Sequence, residues 1–80
     1  INFCFLVLYH GGDVQFGIDS KTKIEDELET STFCEGTGAA TGTKHSYVDL
    51  ICFDKDELEK AASKFSKELD IKIEICEFKR

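Results

Sequence analysis

Proline is absent from this 80-residue sequence, so no rigid spacer or proline-marked linker divides it. No CxxC pair occurs, which leaves no zinc ribbon or redox pair to argue for. Basic residues are in short supply, with 10 Lys and Arg against 16 Asp and Glu and a formal net charge of −6. A uniformly acidic domain repels phosphate backbones, which argues against nucleic acid. The same charge argues against anionic membranes. The hydrophobic run that opens the chain, residues 3–9, is too short to span a bilayer. Nothing like a signal-peptide cleavage region follows it. No Ser–His–Asp order, paired-carboxylate motif or nucleophilic Cys with a nearby His is visible. An enzyme is therefore unsupported, and neither a cofactor nor a metal is expected.

What remains is enough for one domain over residues 1–80 and little more. A chain this short buries a smaller share of its surface than a large one, so its stability margin is thin. Its apolar fraction is 41% and includes seven Phe, which supplies a core and argues against disorder. The acid excess favours a cationic partner, a basic patch on another protein or a metal ion. The plain alternative is solubility, since small domains commonly carry such a charge. Cys4, Cys34, Cys52 and Cys76 lie far apart, each in or beside a strand-like stretch. A disulfide framework usually places cysteines in loops at denser spacing. Four reduced thiols and a cytoplasmic location are expected.

Phe3-Cys4-Phe5-Leu6-Val7-Leu8-Tyr9 is apolar throughout and predicts a central strand covered on nearly both faces. His10-Gly11-Gly12-Asp13 breaks it. Val14-Gln15-Phe16-Gly17-Ile18 fits a short returning strand or an irregular lead-in, and the lead-in is preferred. Asp19 or Thr22 can cap a helix, and Thr22-Lys23-Ile24-Glu25 fits a capping box. Ile24 and Leu28 then share one face. Thr32-Phe33-Cys34-Glu35 starts a second strand. Gly36-Thr37-Gly38-Ala39-Ala40-Thr41-Gly42-Thr43 reads as a small-residue loop or a loose, bulged hairpin. Residues 46–53 return as a strand with apolar positions on both faces, hence also central. Asp54-Lys55-Asp56-Glu57 opens a helix, with Leu58, Ala61, Ala62, Phe65 and Leu69 at helical spacing. Asp56–Lys60 and Lys64–Glu68 are favourable pairs along it. Residues 70–78 alternate apolar and charged, as an edge strand does.

The order β, helix, β, β, helix, β gives an α+β fold, the ferredoxin-like split βαβ arrangement. Its antiparallel sheet of four strands carries both helices on one face. On those residues the chain resembles short, uncharacterised bacterial proteins of ferredoxin-like pattern. The likeness rests on the acidic helix Ile24-Glu25-Asp26-Glu27-Leu28-Glu29, the Gly-containing hairpin, and Asp49-Leu50-Ile51-Cys52-Phe53 running into Asp54-Lys55-Asp56-Glu57-Leu58. Phe16-Gly17 also sits where such sequences often carry Phe-Gly. The Gly-Pro common in them at the end of the third strand is missing here. The resemblance implies the fold and brings no activity with it.

Several residues stand out as candidate sites. The loop glycines Gly36, Gly38 and Gly42 could hold a ligand through backbone amides. Yet Gly42-Thr43-Lys44 leads into a strand and not a helix, so it is no P-loop. His10 and His45 could act as bases or ligands near neutral pH, with Asp13 or Asp49 beside them. Together with the loop they make up the small-ligand or catalytic alternative. Asp49 is expected to be exposed beside Tyr47. The helix-free face should present Tyr47, Ile51 and Phe53, with alternate residues of the first strand and Phe78. Such a patch usually marks an interface, here with another protein or with a second copy in a homodimer. RNA stacking on such a face is disfavoured by the acid excess. The cluster Glu25, Asp26, Glu27 and Glu29 suits a basic partner. The leading expectation is a small acidic protein-interaction module, of the kind that inhibits or regulates a basic partner.

Overall fold

A computed structural model describes residues 2–77. The elements are β1 (Asn2–Tyr9), α1 (Val14–Glu29), β2 (Cys34–Thr41), β3 (His45–Cys52), α2 (Lys55–Leu69) and β4 (Lys72–Glu77). The strands form one antiparallel sheet in the order β2-β3-β1-β4. That is the ferredoxin-like order, with the two apolar strands β1 and β3 in the centre. No helix among the described residues is long and apolar enough to cross a membrane.

Alternation along the strands decides which side is packed. Cys4, Leu6 and Leu8 of β1 and Val48, Leu50 and Cys52 of β3 share one core with Ile24 and Leu28 of α1 and Leu58, Ala62 and Phe65 of α2. Both helices therefore cover the same face. Each such large apolar side chain contributes about 1.5–3 kcal/mol by leaving water.

α1 starts eight residues before the Thr22 cap position and absorbs 14–18, which are neither strand nor irregular lead-in. Gly11 and Gly12, with φ of 66° and 96°, turn the chain out of β1. Asp13 then caps the helix, its carboxylate accepting from Phe16 N at 3.1 Å. The expected capping box lies in mid-helix instead. Its start is hidden because the first buried positions of α1 are Gly17 and Ser20, ahead of Ile24 and Leu28. Small residues sit where a periodicity argument looks for large ones. Asp13→Ala should therefore cost about 1 kcal/mol, or about 4–8 °C in Tm for a domain of this size. Thr22→Ala, at an exposed helix-interior position, should leave Tm unchanged or slightly higher. A larger loss from Thr22→Ala than from Asp13→Ala would move the helix start back.

α2 behaves as its sequence asks. Asp54 caps it by accepting from Glu57 N at 3.3 Å. Lys64 pairs with Glu68 at 3.8 Å, whereas Lys60 meets Glu57 at 3.5 Å instead of Asp56. Asp70, in the left-handed region at φ 51°, ends the helix. The stretch 36–43 is the bulged hairpin and not the open loop: 36–41 are strand and 42–43 belong to the turn before β3. It continues β2 through Thr41, with a bulge where Gly36 faces Leu50 and Gly38 faces Asp49. Thr37 is the extra residue.

Candidate functional site

The sheet face opposite the helices is uncovered by any described element. Cross-strand register sets its rows: Ile51 beside Phe3, Asp49 beside Phe5, Tyr47 beside Val7, and His45 beside Tyr9. β4 extends these rows with Cys76, Glu74 and Lys72. Phe5 and Tyr47 rings lie 6.3 Å apart. Tyr9 meets His45 edge-on at 4.6 Å, with the Lys72 ammonium 5.1 Å from its ring centre. Burial and then a hydrogen bond to Glu74 push the Tyr9 hydroxyl up from its ordinary value. Phe3 remains 45% exposed. Tyr47, Ile51 and Asp49 are half-buried, so Asp49 is less open than expected. Phe78 lies outside the described residues.

A second feature lies on the helix side. A groove of about 640 Å³ runs between the C-terminal half of α1 and β2. Leu28, Cys34, Val48 and Leu50 line it together with Phe53. Glu25, Asp26, Glu29 and Glu35 also line it, beside Gly36 and Gly38. The structure thus brings three of the four acids of the helix cluster together with two of the three candidate glycines. Glu27, exposed on α1, is not among the lining residues. Phe53 lies past the end of β3 and is 53% exposed. It lines this groove, whereas the sequence reading grouped it with Tyr47 and Ile51. Leu28, Val48, Leu50 and Glu35 were not singled out from sequence. Only the neighbourhood of α1 and β2 gives them a role.

The two histidines do not converge. They sit at consecutive ends of strands that pair Tyr9 with His45, so their side chains take opposite faces. His10 is buried under α1, and its Nε2 donates to the Gly42 carbonyl at 3.1 Å in the Nε2-protonated tautomer. Its Nδ1 has no partner among the described residues. Gly42 therefore serves the hairpin, with its own N–H bonded to the His45 carbonyl at 2.8 Å. Among the described residues no group of three or more His, Cys, Asp or Glu is placed to hold a metal ion.

Cys34 faces Cys52 across β2 and β3. All four cysteines are free thiols, the first three buried. Burial pushes the Cys4 thiol up, helped by Cys52 and Glu77. Burial also raises Cys34, against a hydrogen bond with Ser31 that lowers it. Such thiols are poor nucleophiles at neutral pH.

No family model matches the chain, and no curated protein does. Among solved structures, the chain is similar to the crystal structure of PH0061, an archaeal protein, at 13% identity and a TM-score of 0.46. The match covers 99% of this chain and 53% of that one, so the chain spans about half the length of PH0061.

Proposed function

We propose that this chain works by binding another protein, and that its bare sheet face is the recognition surface. The observation that supports this reading is the apolar row structure of that face: exposed Phe3 and half-buried Phe5, Tyr9, Tyr47 and Ile51 surround buried Val7, with Asp49 among them, and no described helix covers them. A contiguous apolar patch edged by polar residues is the usual mark of an interface. Aromatic anchors such as Tyr47 carry much of the energy in such contacts. The net charge of −6 selects a basic partner and speeds the encounter with it. A cytoplasmic inhibitor or regulator of such a partner fits these properties, and so does a homodimer through the same face. The small-ligand or catalytic alternative loses support, because His10 and His45 take opposite faces.

The test is position-specific photo-crosslinking in cells, with a photoreactive residue at Tyr47 and, as control, at the exposed Lys60 of α2. Tyr47 should capture one defined protein or a second copy of this chain, and Lys60 should not. If Tyr47 captures nothing beyond what Lys60 captures, the face is not a binding surface.

A further inference from the structure

We propose that the groove between α1 and β2 seats a short extended basic segment of a partner protein, an arginine or lysine lying along its apolar floor with the cation among Glu25, Asp26 and Glu29. This rests on the reading of the chain as a protein-binding module, but it assigns a second surface on the opposite side of the sheet.

Three properties of the groove specify that occupant. Its floor is mostly carbon, from Leu28, Val48, Leu50 and Phe53 with Cys34 among them. Phe53, 53% exposed, supplies the open apolar surface over buried Leu28, Val48 and Leu50, which suits an aliphatic stem. Its rim is anionic and barely compensated. Glu25 meets Lys21 at 3.7 Å, whereas Asp26 and Glu29 form no ion pair among the described residues. Glu35 faces Ile51, so its carboxylate belongs to the other side of the sheet. Glu25 and Glu29, four residues apart, repel each other slightly along the helix, which offsets the Lys21–Glu25 pair and leaves Glu29 with no stabilising partner among the described residues. A bare metal ion fits less well, because no group of three or more His, Cys, Asp or Glu among the described residues is placed to hold one. A cation carried on a hydrocarbon chain satisfies both floor and rim.

The third property is the space above β2. A Cβ built on Gly36 meets nothing within 4 Å, and its φ lies outside the left-handed region. Neither packing nor backbone conformation thus requires glycine there, although glycine in a strand weakens it. Gly36 faces Leu50, so a side chain at this position would project on the helix side, into the groove. Leaving it out opens room for another backbone to approach. A groove of about 640 Å³ accommodates a few residues of extended chain, and the carboxylates then set both affinity and salt dependence.

The test uses a capped peptide of alternating leucine and arginine, titrated into isotopically labelled protein at low and at moderate salt and followed by amide chemical shifts. Shifts should centre on Leu28, Glu29, Gly36 and Gly38, and the same peptide with Glu for Arg should not bind. Gly36→Val should keep the fold, since valine suits a strand, and should weaken binding by about tenfold or more by filling the groove. Glu25→Gln with Glu29→Gln should weaken it comparably and flatten its salt dependence, while Glu57→Gln with Glu59→Gln on α2, an equal charge change, should not. Ile51→Lys on the bare face should leave peptide binding intact, so this result stands or falls apart from the crosslinking at Tyr47. Shifts centred on Tyr47 and Asp49, shifts spread evenly over all acidic residues, or a folded Gly36→Val that binds like the wild type would each overturn the assignment.

Discussion

Gly17→Ala is expected to destabilise the chain by about 1–3 kcal/mol, although alanine is the better helix former by about 1 kcal/mol. The clash outweighs the propensity. A Cβ at this position would stand 2.3 Å from His10 Cδ2 and 2.7 Å from His10 Cγ, far inside contact distance. The ring has little room to give way, because it is only 6% exposed. Its Nε2 is also held by the Gly42 carbonyl. Displacing it would forfeit that bond, about 1 kcal/mol more. Thermal denaturation should therefore show a lower Tm for Gly17→Ala, and adding His10→Ala to that variant should recover part of the loss through the coupling of neighbours. A Tm at or above the wild type would show that α1 does not lie this close to His10.

The second large effect is a loss of stability at alkaline pH. The thiols of Cys4 and Cys34 are raised above 9.0 in the folded chain, so the folded state keeps their protons after the unfolded chain has begun to lose them. Their contribution is complete below the unfolded value and disappears as pH climbs through the folded values. Tyr9, raised from 10.0 by burial and Glu74, acts in the same direction. So does Lys55, raised from 10.5 by its ion pair with Glu77. Urea midpoints should accordingly hold up to about pH 9 and then fall, and the fall should be shallower in Cys4→Ala with Cys34→Ala. The native protein should react slowly with a thiol reagent and the denatured protein should yield four free thiols. A pH-independent midpoint, or a native disulfide seen by mass spectrometry, would contradict the burial of protonated thiols.

Much of the fold was legible because the strongest signals are local. The apolar runs of β1 and β3, the Asp54 cap and the alternation of β4 each express one period or one capping contact, and their order gives the topology. The start of α1 was not legible, since small residues, Gly17 and Ser20, take its first buried positions, and the reason for Gly17 is supplied by His10, a tertiary neighbour. Gly36 to Thr41 was ambiguous because glycine and alanine have weak strand preference, and pairing with β3 is what holds them extended. The candidate sites divide in the same way. Alternation alone placed Tyr47 and Ile51 on the bare face. The groove could not be anticipated, because it exists only where the acidic turn of α1 passes beside the strand glycines Gly36 and Gly38.

The central place of β1 has a consequence for how the chain comes together. Its two neighbours are β3 and β4, and the β4 pairing joins Cys4 to Glu77. Among the described strands the first is thus completed by the last, with nearly all the described residues looped between them. Contacts so distant along the chain close late and slow the search. Until β4 docks, β1 presents an unsatisfied edge of apolar residues, the kind of surface on which nascent or destabilised chains template one another. Variants that weaken β4 should therefore show their harm first as aggregation during refolding, before any change in the native state is measurable.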